Sequence, residues 1–167
     1  MTAQRGFSLI EVVFALSILL IVALGLVPLG VLATSQTENQ GHLSARVTEY
    51  AQDKLEQLMA LAFSDSISDT RVFPAAAAGG SGLTVGGSSD PAAPVDLYVD
   101  YLDINGTLVA GAGGAPPANW FYERAWRIET VTATLKRITV TAIVRTQVGA
   151  LGRLPRSTVV TLKTSPF

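Results

Sequence analysis

The feature that most constrains this chain is the apolar run Phe7–Leu32, FSLIEVVFALSILLIVALGLVPLGVL, in which Glu11 is the only charged residue. As a helix it spans roughly 39 Å at about 1.5 Å per residue, enough to cross a bilayer. Ahead of it lies MTAQRG, with Arg5 as its one charged side chain. Positive charge before an apolar run predicts a cytoplasmic N-terminus, with everything after about Thr34 on the far side of the membrane. A secretory signal fits poorly: its apolar core is shorter and ends in a small-residue cleavage site followed by polar sequence. An ordinary anchor fits the length but leaves Glu11 unexplained. A lone carboxylate inside a spanning helix costs about 2.5–3.5 kcal/mol, so it is a functional candidate that needs a partner.

The 167 residues suffice for one modest domain plus an anchor. The net charge of −1 gives no electrostatic reason to expect a nucleic-acid partner. The absence of cysteine excludes disulfides, thiolate catalysis and Cys-based zinc sites. His42 is the only histidine and reads as an exposed helix residue. There is no Walker motif, no GxGxxG and no histidine cluster. No catalytic residue, metal or cofactor is expected, and the chain reads as non-enzymatic.

Past Leu32 the sequence turns polar without a clear stop. Leu43, Val47, Tyr50, Ala51, Leu55, Leu58, Met59 and Ala62 recur at spacings of one, three and four, one stripe of an amphipathic helix. Glu49, Asp53 and Glu56 read as its solvated face. The helix is expected from about Ser8 to Phe63, loosened near Gly25–Pro28 and Gly41, with Pro28 as its kink. The segment Pro74–Pro94, rich in Ala, Gly and Ser, reads as a flexible loop rather than a packed element.

Beyond it, Val95, Leu97, Val99 and Tyr101 alternate with Asp96, Tyr98 and Asp100, the period of a strand. Asn105-Gly106 marks a hairpin turn and Thr107–Ala110 its return strand. Strands follow at Phe121–Thr134, with Trp126, Ile128 and Val131 as its apolar residues, at Leu135–Thr146, with Ile138, Val140, Ala142 and Val144 on one face, and at Ser157–Thr164. Short breaks make an antiparallel meander the simplest topology. Asp100, Asp103 and Asn105 do not match the alternating ligand spacing of a calcium loop, and on a strand Asp96 and Asp100 share its outer face. Polar residues flanking a hairpin account for them better.

The run Gly6-Phe7-Ser8-Leu9-Ile10-Glu11 resembles the type IV prepilin motif: a Gly closing a short basic leader, then Phe, then a Glu four residues on. The resemblance implies cleavage after Gly6 by a prepilin peptidase, N-methylation of Phe7, and an assembly role for Glu11. The glutamate would answer the free amine of a neighbouring subunit, a counter-charge that exists only after cleavage. Pilin stems commonly carry a proline in the region of Pro28. The layout beyond the stem looks like PilV-type minor pilins and type II secretion pseudopilins, although the disulfide of many major pilins is absent.

The expected fold is α+β and pilin-like, a long N-terminal helix packed on a C-terminal antiparallel β-sheet. It divides into a leader (1–6), an apolar transmembrane or filament-core half-helix (7–33), an amphipathic half-helix (34–63), a loop (64–94) and a sheet domain (95–167). The implied partners are other pilin subunits, a prepilin peptidase and N-methyltransferase, an assembly platform and the bacterial inner membrane, before passage into a pilus or periplasmic pseudopilus. The function implied is that of a structural minor pilin. The alternatives are a pseudopilin of secretion or DNA uptake, or an anchored binding domain that never polymerises.

Overall fold

The computed structural model describes residues 8–64, 82–109, 116–145 and 154–165. Gly6 and Phe7 lie outside the described residues. The chain divides into two units, Met1–Asn39 and Gln40–Phe167, and helix α1 (Leu9–Ala60) contributes to both.

In the first unit α1 is apolar on all sides, because Leu, Ile, Val and Ala fill every position of the turn rather than one stripe. Every side chain from Ser8 to Ser35 is exposed. The helix continues through Gly25 and Pro28, where the proline has no N–H to offer the Leu24 carbonyl.

The second unit packs the polar half of α1 on a sheet. Its strands are β1 (Gly86–Gly87), β2 (Val99–Leu102), β3 (Leu108–Val109), β4 (Tyr122–Thr132), β5 (Leu135–Val144) and β6 (Arg156–Thr164). The order is β3-β2-β4-β5-β6, with β1 also paired to β4, and all pairings are antiparallel. The last three strands form the expected meander. The β2–β3 hairpin joins the other side of β4, where β2 pairs along Tyr122–Ala125 and β1 along Arg127–Ile128.

Val47, Ala51 and Leu58 of the helix are fully buried with Trp126, Ile128, Ile138, Val140, Ala142 and Val144 of the sheet. Burying one such side chain contributes roughly 1.5–3 kcal/mol. Met59 and Ala62, expected on this stripe, are instead exposed, because the packed face follows 47, 51, 54 and 58. Val131 is also exposed, beside a register shift between Thr130 and Thr132 that turns it off the core face.

Part of the expected loop is packed. Leu83 is fully buried, its N–H donates to the Ala62 carbonyl at 2.8 Å, and Gly86–Gly87 form β1. Two glycines read as linker serve close approach instead: a Cβ at Gly86 would meet the Tyr98 ring and hydroxyl, and one at Gly87, at φ +84°, the Trp126 carbonyl and Tyr98. The Tyr98 hydroxyl closes the segment by donating to the Thr84 and Val85 carbonyls at 3.2 Å.

The strand expected from Val95 begins only at Val99. Residues 95–98 form a turn in which Tyr98 N–H donates to the Val95 carbonyl and Leu97 sits at φ 70°. The left-handed region costs a non-glycine residue roughly 1–2 kcal/mol. Leu97→Asn, which tolerates that region, is expected to raise stability by about 1 kcal/mol, read as a higher denaturant midpoint with an unchanged slope. In the hairpin, Gly106 alone takes positive φ, at +85°, while its N–H donates to the Asp103 carbonyl. This is a type I turn closed by a left-handed glycine, a form suited to a three-residue loop.

Candidate functional site

Ser8 precedes α1, and its carbonyl accepts the N–H groups of Glu11 at 3.0 Å and Val12 at 3.2 Å. Glu11 thus lies in the first helical turn, where unsatisfied N–H groups favour a negative side chain. The hydroxyls along the apolar half of the helix meet their own needs: Ser17 donates to the Val13 carbonyl at 2.8 Å, Thr34 to Gly30 at 2.9 Å and Thr37 to Ala33 at 2.9 Å. Such back-bonding lets hydroxyl groups sit in an apolar environment. Glu11 has no cationic partner among the described residues, and the next basic residue along the sequence after Arg5 is Arg46. Glu11 is therefore a carboxylate, set within the apolar run, whose counter-charge the described part of the helix does not supply.

Around it the surface is almost wholly hydrocarbon. The most apolar 18-residue window of α1 has a mean hydropathy of 2.9, and none of it is buried within the chain. At roughly 1.5–3 kcal/mol per large side chain, covering this surface is worth tens of kcal/mol. Length, composition and exposure are consistent with anchoring in an inner membrane.

In the second unit the structure assembles a charge cluster that sequence reasoning missed. Asp100, on β2, is read from the alternation as outward-facing. Both faces of β2 are buried, so alternation there could not say which side meets the helix. Asp100 turns inward. The Arg124 guanidinium binds it twice, Nε to Oδ1 at 2.7 Å and Nη2 to Oδ2 at 2.8 Å. The Lys54 ammonium reaches Oδ2 at 2.9 Å and stands 4.2 Å above the Trp126 ring. Arg124 Nη1 also binds the half-exposed Asp53 at 2.8 Å.

Burial pushes the Lys54 ammonium below its ordinary range, and Asp100 partly opposes this. Burial also pulls on Arg124, but Asp100 and then Asp53 outweigh it and hold the guanidinium above its usual value. The available signal was phase: position 54 lies in step with 47, 51 and 58 on the apolar stripe.

The end of α1 has no basic residue in its last turn, and the sheet supplies the missing donors. Lys163 donates to the Met59 and Leu61 carbonyls, and Lys136 to those of Phe63 and Leu83. Lys163 thus meets one orphan carbonyl of the helix end and one of the turn after it, and Lys136 ties that turn to the Leu83 segment.

The polar residues weighed for calcium are engaged separately. Asp96 Oδ1 accepts the Leu97 N–H, and Asp103 Oδ1 accepts the N–H groups of Asn105 and Thr107, both at 2.8 Å. Around the sheet, Arg127 and Arg137 both pair with Glu129, and Arg145, just past β5, donates to the Ala118 and Trp120 carbonyls. His42 is exposed on α1.

No curated protein and no solved structure matches the chain. Residues 1–27 match the family model described as the prokaryotic N-terminal methylation motif. That match covers Gly6, Phe7 and Glu11, and it supports a type IV pilin-like chain, processed by a prepilin peptidase and assembled with other pilins.

Proposed function

We propose that this chain is a structural minor pilin, held in the inner membrane by α1 until its leader is removed and then packed by the same helix into a type IV filament. The observation that carries the proposal is Glu11: a carboxylate without a cation among the described residues, at the head of an exposed apolar helix and inside a methylation motif. A cleaved neighbour offers the missing charge as the amine of Phe7. Stem-on-stem packing would cover the hydrocarbon surface.

The test is to shear surface filaments and identify the N-terminal peptide of this protein by mass spectrometry. A peptide beginning at N-methylated Phe7 is expected. A processed chain confined to the membrane fraction would favour a secretion pseudopilin, and an uncut chain beginning at Met1 would remove the pilin reading. Glu11→Val separates assembly from anchoring. Membrane insertion is expected to be unchanged or improved, while filament incorporation falls by at least about a hundred-fold, since breaking a buried ion pair costs about 3–5 kcal/mol. Equal incorporation of the variant would return the chain to a non-polymerising anchored domain.

A further inference from the structure

The sheet face turned away from α1 holds a second, smaller cluster. Val99 and Tyr101 of β2 and Ala125 of β4 are buried there, with Trp120 packed against them. The Tyr101 and Trp120 rings meet edge to face at 5.7 Å. Within this cluster β4 places a carboxyl: Glu123 lies between Tyr101 on β2 and Ile143 on β5. It is 5% exposed, and its Oε1 has no hydrogen-bond partner. A buried acceptor without a donor is costly when neutral and far more so when charged.

Among the described residues no cation is paired with it, and burial alone sets its shift. From β2 the facing titratable group is Tyr101, which burial, then Glu123 and Asp100, push up to about 12. Asp100 itself is turned to the helix side. From β5, Thr141 and Ile143 face the cluster. Farther along that face Arg145 is held by the Ala118 and Trp120 carbonyls and lies over the Trp120 ring. From β4 itself, Arg127 pairs with Glu129. On β6, Arg156 stands opposite Ile143 and is exposed.

We propose that Glu123 is a proton-controlled latch on this face, closed under Tyr101 and Trp120 while neutral and opened by ionisation, which draws water between β2 and β4. Burial carries the Glu123 carboxyl from its ordinary 4.5 up to about 7, so the opening falls within the pH range a protein outside the cytoplasm meets. The sign follows from linkage. An acid whose folded value lies above its unfolded value holds its proton more tightly when folded. Its cost is absent below pH 4.5, grows as pH rises through about 7 and is constant above. The full excursion is worth on the order of a hundred-fold in the folding equilibrium.

The test is hydrogen exchange by mass spectrometry on the full chain in detergent micelles at pH 5.5 and 8.5, corrected for the intrinsic pH dependence of exchange. Peptides covering 99–109 and 118–125 are expected to lose about tenfold or more of their protection on going to the higher pH, while β5 changes little. Glu123→Gln, which cannot ionise, is expected to abolish the difference. An equal loss in the variant, or no loss in the unmutated chain, would overturn the proposal. Should the variant fail to fold, carbon NMR of the labelled glutamate carboxyls in the unmutated chain decides. One carboxyl titrating near 7 is expected, and all of them titrating near 4.5 would overturn the latch.

Discussion

Asp100→Ala is expected to destabilise the second unit by about 3–5 kcal/mol, the cost of leaving buried charges without their partner. Asp100 is the hub of the helix–sheet contact: it is 3% exposed, pairs with Lys54 from α1, and receives two hydrogen bonds from Arg124 on β4. Without it two cations face each other inside the core, and Asp53, half exposed, pairs directly with Arg124 and pulls on Lys54 only weakly. The measurement is denaturant unfolding of the full chain in micelles, followed through the fluorescence of Trp126, over whose ring Lys54 stands. A loss under about 1 kcal/mol would mean that water reaches the cluster and that the pairs behave as surface ion pairs. The triple change Lys54→Met, Asp100→Leu and Arg124→Met should recover most of the loss, because well-packed apolar groups commonly replace a buried ion cluster without cost. That recovery would separate a role in fixing the helix on the sheet from a role in net stability.

Gly87→Ala is expected to cost about 2–5 kcal/mol, the sum of overpacking and a left-handed backbone. A Cβ there would lie 2.6 Å from Tyr98 Cγ and closer still to the Trp126 carbonyl oxygen. The oxygen belongs to the paired backbone of β4 and cannot swing aside, so β1 has to leave the strand. Leu83, fully buried a few residues earlier, then loses part of its cover. Gly41→Ala is the matched control with the opposite sign. It sits in α1 with nothing within 4 Å of the added methyl, and is expected to stabilise the helix by about 1 kcal/mol. Equal effects at the two positions would show that the packing around β1 does not hold in solution.

The strand pattern of β5 was legible because its two sides differ. Ile138, Val140, Ala142 and Val144 are all fully buried against the helix side, so period two carries the direction of each side chain. The same rule failed on β2. There Val99, Asp100, Tyr101 and Leu102 are all buried, and an alternation between two covered faces does not say which one holds the helix. The Gly- and Ala-rich segment before it reads as linker because composition cannot distinguish a glycine kept for freedom from one kept for close approach.

What the sequence by itself determined is local. The apolar run, its single carboxylate and the methylation motif are written in consecutive residues, and helical period alone extends the helix to about Phe63, three residues past its observed end at Ala60. What only the tertiary structure decided is which charges are buried and with whom. Arg124 meets Asp100 across 24 residues of chain and Asp53 across 71, and Glu123 faces Tyr101 from a neighbouring strand. A side chain's polarity is a property of the residue, but its burial and its partner belong to the closed sheet and helix, and no window along the chain contains both ends of those pairs.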